Sequence, residues 1–203
     1  MIFNKKTGFT LIEVMVAITI IGIIATIMIN MLKPTNIKED ALKKGGMNVH
    51  TQIDLAIQQT ILKDTKTYSL KNFKSGTSIT SADTAAEFAG YLKKYLIAKR
   101  KNNTIPATYA STNFKTSSGS SVSLNVNNFS QKFVTRNGVY IAIQLNGNCT
   151  TTETNVYHPI YDGLANTKTK SCGLIFFDIN GEEMPNRLLL DQYIVAISEF
   201  GLK

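Results

Sequence analysis

The chain has 203 residues, with 22 Lys and Arg against 14 Asp and Glu, a formal charge of +8. That length has room for a membrane helix and one soluble domain of ordinary size. The lysines are scattered, and the one tight cluster, Lys99-Arg100-Lys101, follows a helical pattern and reads as favourable charge at a helix C-terminus rather than a nucleic-acid site. Only two histidines, His50 and His158, occur, with no Gly-x-Ser-x-Gly, phosphate loop or His-Glu-x-x-His, so no catalytic site is expected.

From Phe9 to Leu32 run 32 − 9 + 1 = 24 residues of which only Glu13 is charged. A helix that crosses a bilayer needs ~20 apolar residues, whereas the apolar core of a secretory signal has ~7–15. Lys5 and Lys6 precede this helix, which favours a cytoplasmic N-terminus and a C-terminal bulk outside the inner membrane. Loss of residues 1–8 would remove both lysines, leaving +8 − 2 = +6 before the new amine is counted. A carboxylate in lipid costs ~2.5–3.5 kcal/mol and usually has a partner. A cut between Gly8 and Phe9 would create an α-amine one helical turn before Glu13, a counter-ion within the chain or on a neighbour. Alternatively Glu13 lies near the interface and reaches water.

The run Lys5-Lys6-Thr7-Gly8-Phe9-Thr10-Leu11-Ile12-Glu13-Val14 resembles the cleavage and methylation signature of type IV pilins and type II secretion pseudopilins. The resemblance covers about the first sixth of the chain. It implies a leader at 1–8, a transmembrane and assembly helix at 9–32 and a periplasmic or extracellular head at 33–203. It also implies cleavage between Gly8 and Phe9, N-methylation of Phe9, and Glu13 as the assembly glutamate. The implied partners are other subunits in a helical filament, a prepilin peptidase and methyltransferase, an inner-membrane assembly platform, and lipid before assembly. In related pilins the membrane helix can partly unwind near a glycine, and Gly22 is the matching position.

Past Leu32, Pro34 is expected to kink or interrupt the helix near the membrane surface. Helical periodicity resumes through Ile37, Ala41, Leu42, Val49, Ile53, Ala56, Ile57 and Ile61. Gly45-Gly46 weakens this stretch by ~1 kcal/mol per glycine relative to alanine, so a hinge is expected there. Residues 64–80 read as a loop. A second helix follows, with Thr84 and Glu87 as a capping box and Phe88, Tyr91, Leu92, Tyr95 and Leu96 on one face. Residues 101–121, rich in Asn, Ser, Thr and Gly and containing Pro106, read as a long surface loop.

From Val122 the pattern turns to strands: 122–126, 132–136 joined to 139–145 across Asn137-Gly138, then 173–179 and 192–198. The expected fold is α+β: a long N-terminal helix, a short helix and a mostly antiparallel sheet of about four strands, a pilin-like roll. Cys149 and Cys172 bracket a polar insertion and could form a disulfide, since an exported compartment permits one. The resemblance supports that pairing, because pilins often carry a C-terminal disulfide loop.

Oxygen side chains in Asp178-Ile179-Asn180-Gly181-Glu182-Glu183-Met184-Pro185-Asn186, with Asp191 beyond, are the type that a hard cation takes. The stretch matches a calcium loop in part, and some pseudopilins carry a similar one, so calcium on Asp178, Asn180 and Asp191 is one reading and a plain hairpin loop is the other. Three functions stand: a filament subunit; a minor tip pilin whose 101–121 loop and cysteine-bracketed insertion bind DNA, a surface or a secreted substrate; and a single-pass anchored domain unrelated to filaments.

Overall fold

The computed structural model describes residues 9–31, 34–65, 70, 82–98, 104–110, 113–115, 121–146, 149–153, 156–157, 159, 169–184 and 186–203. The chain divides into two compact units, Met1–Asp40 and Ala41–Lys203. The first contains α1 (Leu11–Met31), which is the one helix among the described residues long and apolar enough to cross a membrane. Its two threonines satisfy their hydroxyls within the helix, Thr19 on the Met15 carbonyl and Thr26 on the Gly22 carbonyl, each at 2.8 Å. Such back-bonding leaves no unmet donor toward an apolar solvent. Helix α1 runs unbroken through Gly22.

Helix α2 (Pro34–Gln59) begins on Pro34, where a missing N–H costs nothing because the first turn has no intrahelical acceptor. The expected hinge at Gly45-Gly46 is absent; α2 continues through both. Gly46 is buried, and a Cβ there would lie 2.4–2.7 Å from three atoms of the Tyr193 phenol. The glycine thus serves close approach of helix to sheet rather than bending. After Gln59 the chain widens into a π-helical turn, Thr60–Thr65.

Helix α3 (Ala82–Tyr95) starts two residues before Thr84, so Thr84 is not its N-cap as expected. Phe88 and Leu92 are fully buried on the predicted apolar face, with Tyr91, Tyr95 and Leu96 packed at its margin. Residues 104–110 are not a bare surface loop: they form the short helix α4 (Ala107–Ala110) and bury Ile105.

The strands are β1 (Asn113–Lys115), β2 (Ser121–Asn125), β3 (Gln131–Val134), β4 (Tyr140–Leu145), β5 (Thr151–Glu153), β6 (Thr169–Ser171), β7 (Gly173–Asp178), β8 (Gln192–Ser198) and β9 (Gly201–Leu202). The main sheet is antiparallel and has five strands in the order β3-β4-β7-β8-β9, one more than expected. The extra strand is the two-residue β9. The predicted strand at 122–126 pairs instead with β1 in a separate ribbon. Between β3 and β4 the turn centres on Arg136-Asn137, with the Gly138 N–H on the Thr135 carbonyl at 3.0 Å. Gly138 takes φ 89°, the left-handed position that closes a three-residue hairpin loop.

Strands β7 and β8 are buried on both faces. Ile175, Phe177, Tyr193, Val195 and Ile197 meet Ile53, Ile57, Phe88 and Leu92 of the helices. The alternate residues Leu174, Phe176, Ile194 and Ala196 meet Ile105, Val126, Phe129, Val156, Tyr157 and Leu188 on the opposite face. A period of two sends neighbours to different layers, so each strand serves two cores.

Candidate functional site

Two places carry polar side chains in unusual settings. The first is the start of α1. Thr10 occupies the cap position and Glu13 the third helical residue, and they bond reciprocally. The Thr10 N–H and hydroxyl both donate to Glu13 Oε2 at 2.8 Å, while the Glu13 N–H donates to Thr10 Oγ1 at 3.4 Å. This capping box satisfies donors that a helix start leaves open. Among the described residues Glu13 Oε1 receives no donor. Sequence reasoning did not name this box, although threonine three residues before glutamate is its spacing.

The second place is the β7–β8 connection. Asp178, the last residue of β7, is fully buried. Its Oδ1 accepts the N–H groups of Asn180 (3.1 Å) and Gly181 (2.8 Å). Its Oδ2 accepts the Tyr109 hydroxyl and the Gln192 side-chain amide, the latter at 3.1 Å. Gln192 Nε2 also lies 2.8 Å from the Tyr109 oxygen. Burial pushes the Asp178 carboxyl up to about 7, against the opposing pull of these donors. Burial also raises Tyr109, helped by the charge of Asp178. Asp191 holds the other end of the loop: its oxygens accept the N–H groups of Arg187 and Asn186, each at 2.7 Å. Its carboxyl is raised by burial as well. The two carboxylates pin the loop at both ends and tie α4 to the sheet through Tyr109.

Cys149 and Cys172 are joined as a disulfide that closes the base of the β5–β6 ribbon. The Cys172 N–H bonds the Ile197 carbonyl at 2.6 Å, so the insertion is anchored to β8.

A family model described as the prokaryotic N-terminal methylation motif matches residues 3–29. The chain carries the type IV pilin and pseudopilin signature. No curated protein and no solved structure matches it.

Of the residues that the pilin signature points to, Gly8 lies outside the described residues, Phe9 is exposed just before α1, and Glu13 is the capping glutamate. Asp178, Asn180 and Asp191 share the β7–β8 loop. A carboxylate offers about four lone-pair positions, and at Asp178 all four meet protein donors. Asn180 Oδ1, by contrast, is buried with no hydrogen-bond partner among the described residues, an oxygen of the kind that a hard cation takes. Sequence reasoning did not find Tyr109 or Gln192; they reach Asp178 across separations of 69 and 14 residues, and nothing local marks that meeting.

Proposed function

We propose that this chain is a filament subunit of the type IV pilus or type II secretion pseudopilus kind, with a structural rather than catalytic role. It is cut between Gly8 and Phe9 by a prepilin peptidase and N-methylated at Phe9. It is held in the inner membrane by residues 9–32 with its N-terminus cytoplasmic, and its head lies outside that membrane. An assembly platform then moves it into a filament in which the apolar helices bury one another.

The observation that carries this reading is Glu13, the single charge in an otherwise apolar helix, within the matched motif. Thr10 occupies one of its oxygens and leaves the other open to a donor. A neighbour's terminal amine supplies that donor and removes part of a cost of ~2.5–3.5 kcal/mol in lipid. Pairing therefore favours the assembled state and sets the stagger between helices. The secretion branch draws support from the sequence of the Asp178–Asn186 loop between β7 and β8, which resembles that of some pseudopilins.

The test has two parts. Mass spectrometry of the mature N-terminus is expected to find N-methylated Phe9, and an intact Met1 on working protein refutes the proposal. Glu13→Ala is expected to leave cleavage intact while lowering filament incorporation by about tenfold or more, which corresponds to ~1.4 kcal/mol of lost pairing. Normal incorporation of that variant refutes the charge-pairing account.

A further inference from the structure

Within the unit Ala41–Lys203 an open cleft of about 290 Å³ lies between α2, the end of α3 and the β3–β4 turn. Its walls include Gln52, Leu55 and Gln59 of α2, Ile97 after α3, and Arg136 and Asn137 of the turn. Leu55 is 51% exposed and Ile97 61% exposed. Ile97 has φ 51°, the left-handed position that ends α3: the Ala98 N–H bonds the Lys93 carbonyl at 3.0 Å, as in a helix C-cap. The conformation is held in place: the Ile97 carbonyl accepts the Arg136 N–H at 2.9 Å, and Ala98 bridges Thr135. The cap leaves an apolar side chain exposed beside a cation. Among the described residues the Arg136 guanidinium has no partner. A second cation, Lys94, lies 5.2 Å from the ring of Tyr95, another wall residue.

The complement of this cleft is present on the same chain. In the β7–β8 loop, Glu182, Glu183 and Met184 are exposed in succession, Met184 at 69%. Two negative charges followed by a flexible apolar side chain match a cleft of one or two positive charges over an apolar floor. The loop is held in shape from beneath. Asn180 Nδ2 donates to the Glu183 carbonyl at 3.0 Å, Asn186 Nδ2 donates to the Glu182 carbonyl at 3.2 Å, and Asp178 and Asp191 fix its ends. A tip ordered before contact loses little freedom on docking.

Position decides the symmetry. The cleft lies on the helix side of the main sheet, where Tyr95 and Leu96 pack on the first core. The loop leaves the sheet at the same end as the β3–β4 turn: Gly181 approaches the Tyr140 ring and the Gly138 carbonyl oxygen. Because cleft and loop are different patches, their contact between copies is head-to-tail, and such contacts build open helical filaments when the rotation does not close.

We infer that the Leu55–Ile97–Arg136 cleft of one subunit receives the Glu182-Glu183-Met184 loop of a second copy of this chain. The inference rests on the filament reading and adds to it the contact between heads, which the N-terminal motif does not address.

The experiment uses the full-length chain assembled in cells. Gln59→Cys combined with Glu183→Cys, oxidised in sheared filaments, is expected to give a ladder of covalent dimers, trimers and higher multimers. Each single variant is expected to stay monomeric, since Cys149 and Cys172 are already paired. Arg136→Glu is expected to reduce filament yield at least tenfold with thermal stability unchanged. Combining it with Glu182→Arg and Glu183→Arg is expected to restore the yield. Filaments without a ladder, or a wild-type yield from Arg136→Glu, overturn the inference while leaving the filament reading intact. Loss of filaments in Arg136→Glu without rescue assigns the cleft to another occupant and also overturns it. Correctly processed wild-type protein that forms no filaments removes both.

Discussion

Alanine at Gly46 and alanine at Gly90 are expected to have opposite effects, although both positions lie inside helices of the same unit. In an exposed helix interior, Gly→Ala stabilises by ~1 kcal/mol because the unfolded chain loses freedom. Gly90 of α3 is exposed and a Cβ there meets no atom within 4 Å, so Gly90→Ala is expected to gain that amount. At Gly46 the new Cβ would lie 2.4 Å from Tyr193 Cε2, 2.5 Å from Cζ and 2.7 Å from the hydroxyl oxygen. Ordinary contact between carbons is about 3.5–4.0 Å, so ring or helix must retreat by roughly 1 Å. The ring cannot retreat freely. It is fully buried, stacks on Phe177 at 5.2 Å between centroids, and donates its hydroxyl to the Leu190 carbonyl at 2.8 Å. Overpacking of this kind costs ~1–3 kcal/mol, and three contacts so short place Gly46→Ala at the upper end. After subtracting the ~1 kcal/mol helix gain, a net loss of ~2 kcal/mol remains. At ~2–4 °C per kcal/mol for a domain of this size, that is a fall in Tm of roughly 4–8 °C. The assay is thermal and denaturant unfolding of the detergent-solubilised chain, followed by near-ultraviolet circular dichroism. In a Tyr193→Leu background the same alanine is expected to become neutral or stabilising, which isolates the ring as the cause. A Gly46→Ala variant as stable as wild type, with no dependence on residue 193, refutes the close-approach account and returns the glycine to a hinge.

The β7–β8 loop sets a pH dependence. Because Asp178 is raised to about 7 from a usual value near 3.8, the folded chain keeps a proton that the unfolded chain has lost between those values. This contribution to stability is therefore full at low pH and falls as pH rises toward 7, with a slope of at most ~1.4 kcal/mol per unit. The wild type is expected to lose more Tm between pH 5 and 7.5 than Asp178→Asn, and equal losses refute the assignment. Replacing both Cys149 and Cys172 by serine reopens a loop of 23 residues and is expected to cost ~3 kcal/mol, read as a lower denaturant midpoint; an unchanged midpoint refutes it. Gly173→Ala would set a Cβ 2.1 Å from the Gln144 carbonyl oxygen, and since backbone cannot step aside, it is expected to break the β4–β7 pairing, cost ~3 kcal/mol or more and leave little folded protein. Normal yield of a stable Gly173→Ala head refutes that.

Much of this protein was legible where a signal is local. The membrane helix follows from an apolar run whose length matches a bilayer. Strands β4, β7 and β8 follow from β-branched and aromatic runs bounded by turn residues, and the β3–β4 hairpin from the Asn-Gly pair, although the turn centres one residue earlier. The Thr10–Glu13 capping box was also present as spacing alone. Other elements were misread because their partners are distant. Residues 104–110 resemble a solvated loop in composition, yet Ile105 and Tyr109 cover the second face of the sheet. That sheet is buried on both sides, and a polar segment can serve as cover when it contributes only a few apolar groups. Thr84 looked like a cap because the pattern cannot register that α3 already begins at Ala82.

What the amino-acid order alone determined is what depends on neighbours along the chain: an apolar helix of bilayer length, one carboxylate inside it, the N-terminal methylation motif, and the strand periodicity. Only the tertiary structure decided what Asp178 and Gly46 are for. A carboxylate reads the same in sequence whether its lone pairs face a cation or four protein donors, and a glycine the same whether it bends a helix or lets a ring approach. Those choices are completed by groups distant in the chain, Tyr109 and Gln192 at Asp178 and Tyr193 at Gly46, through packing that no local pattern records.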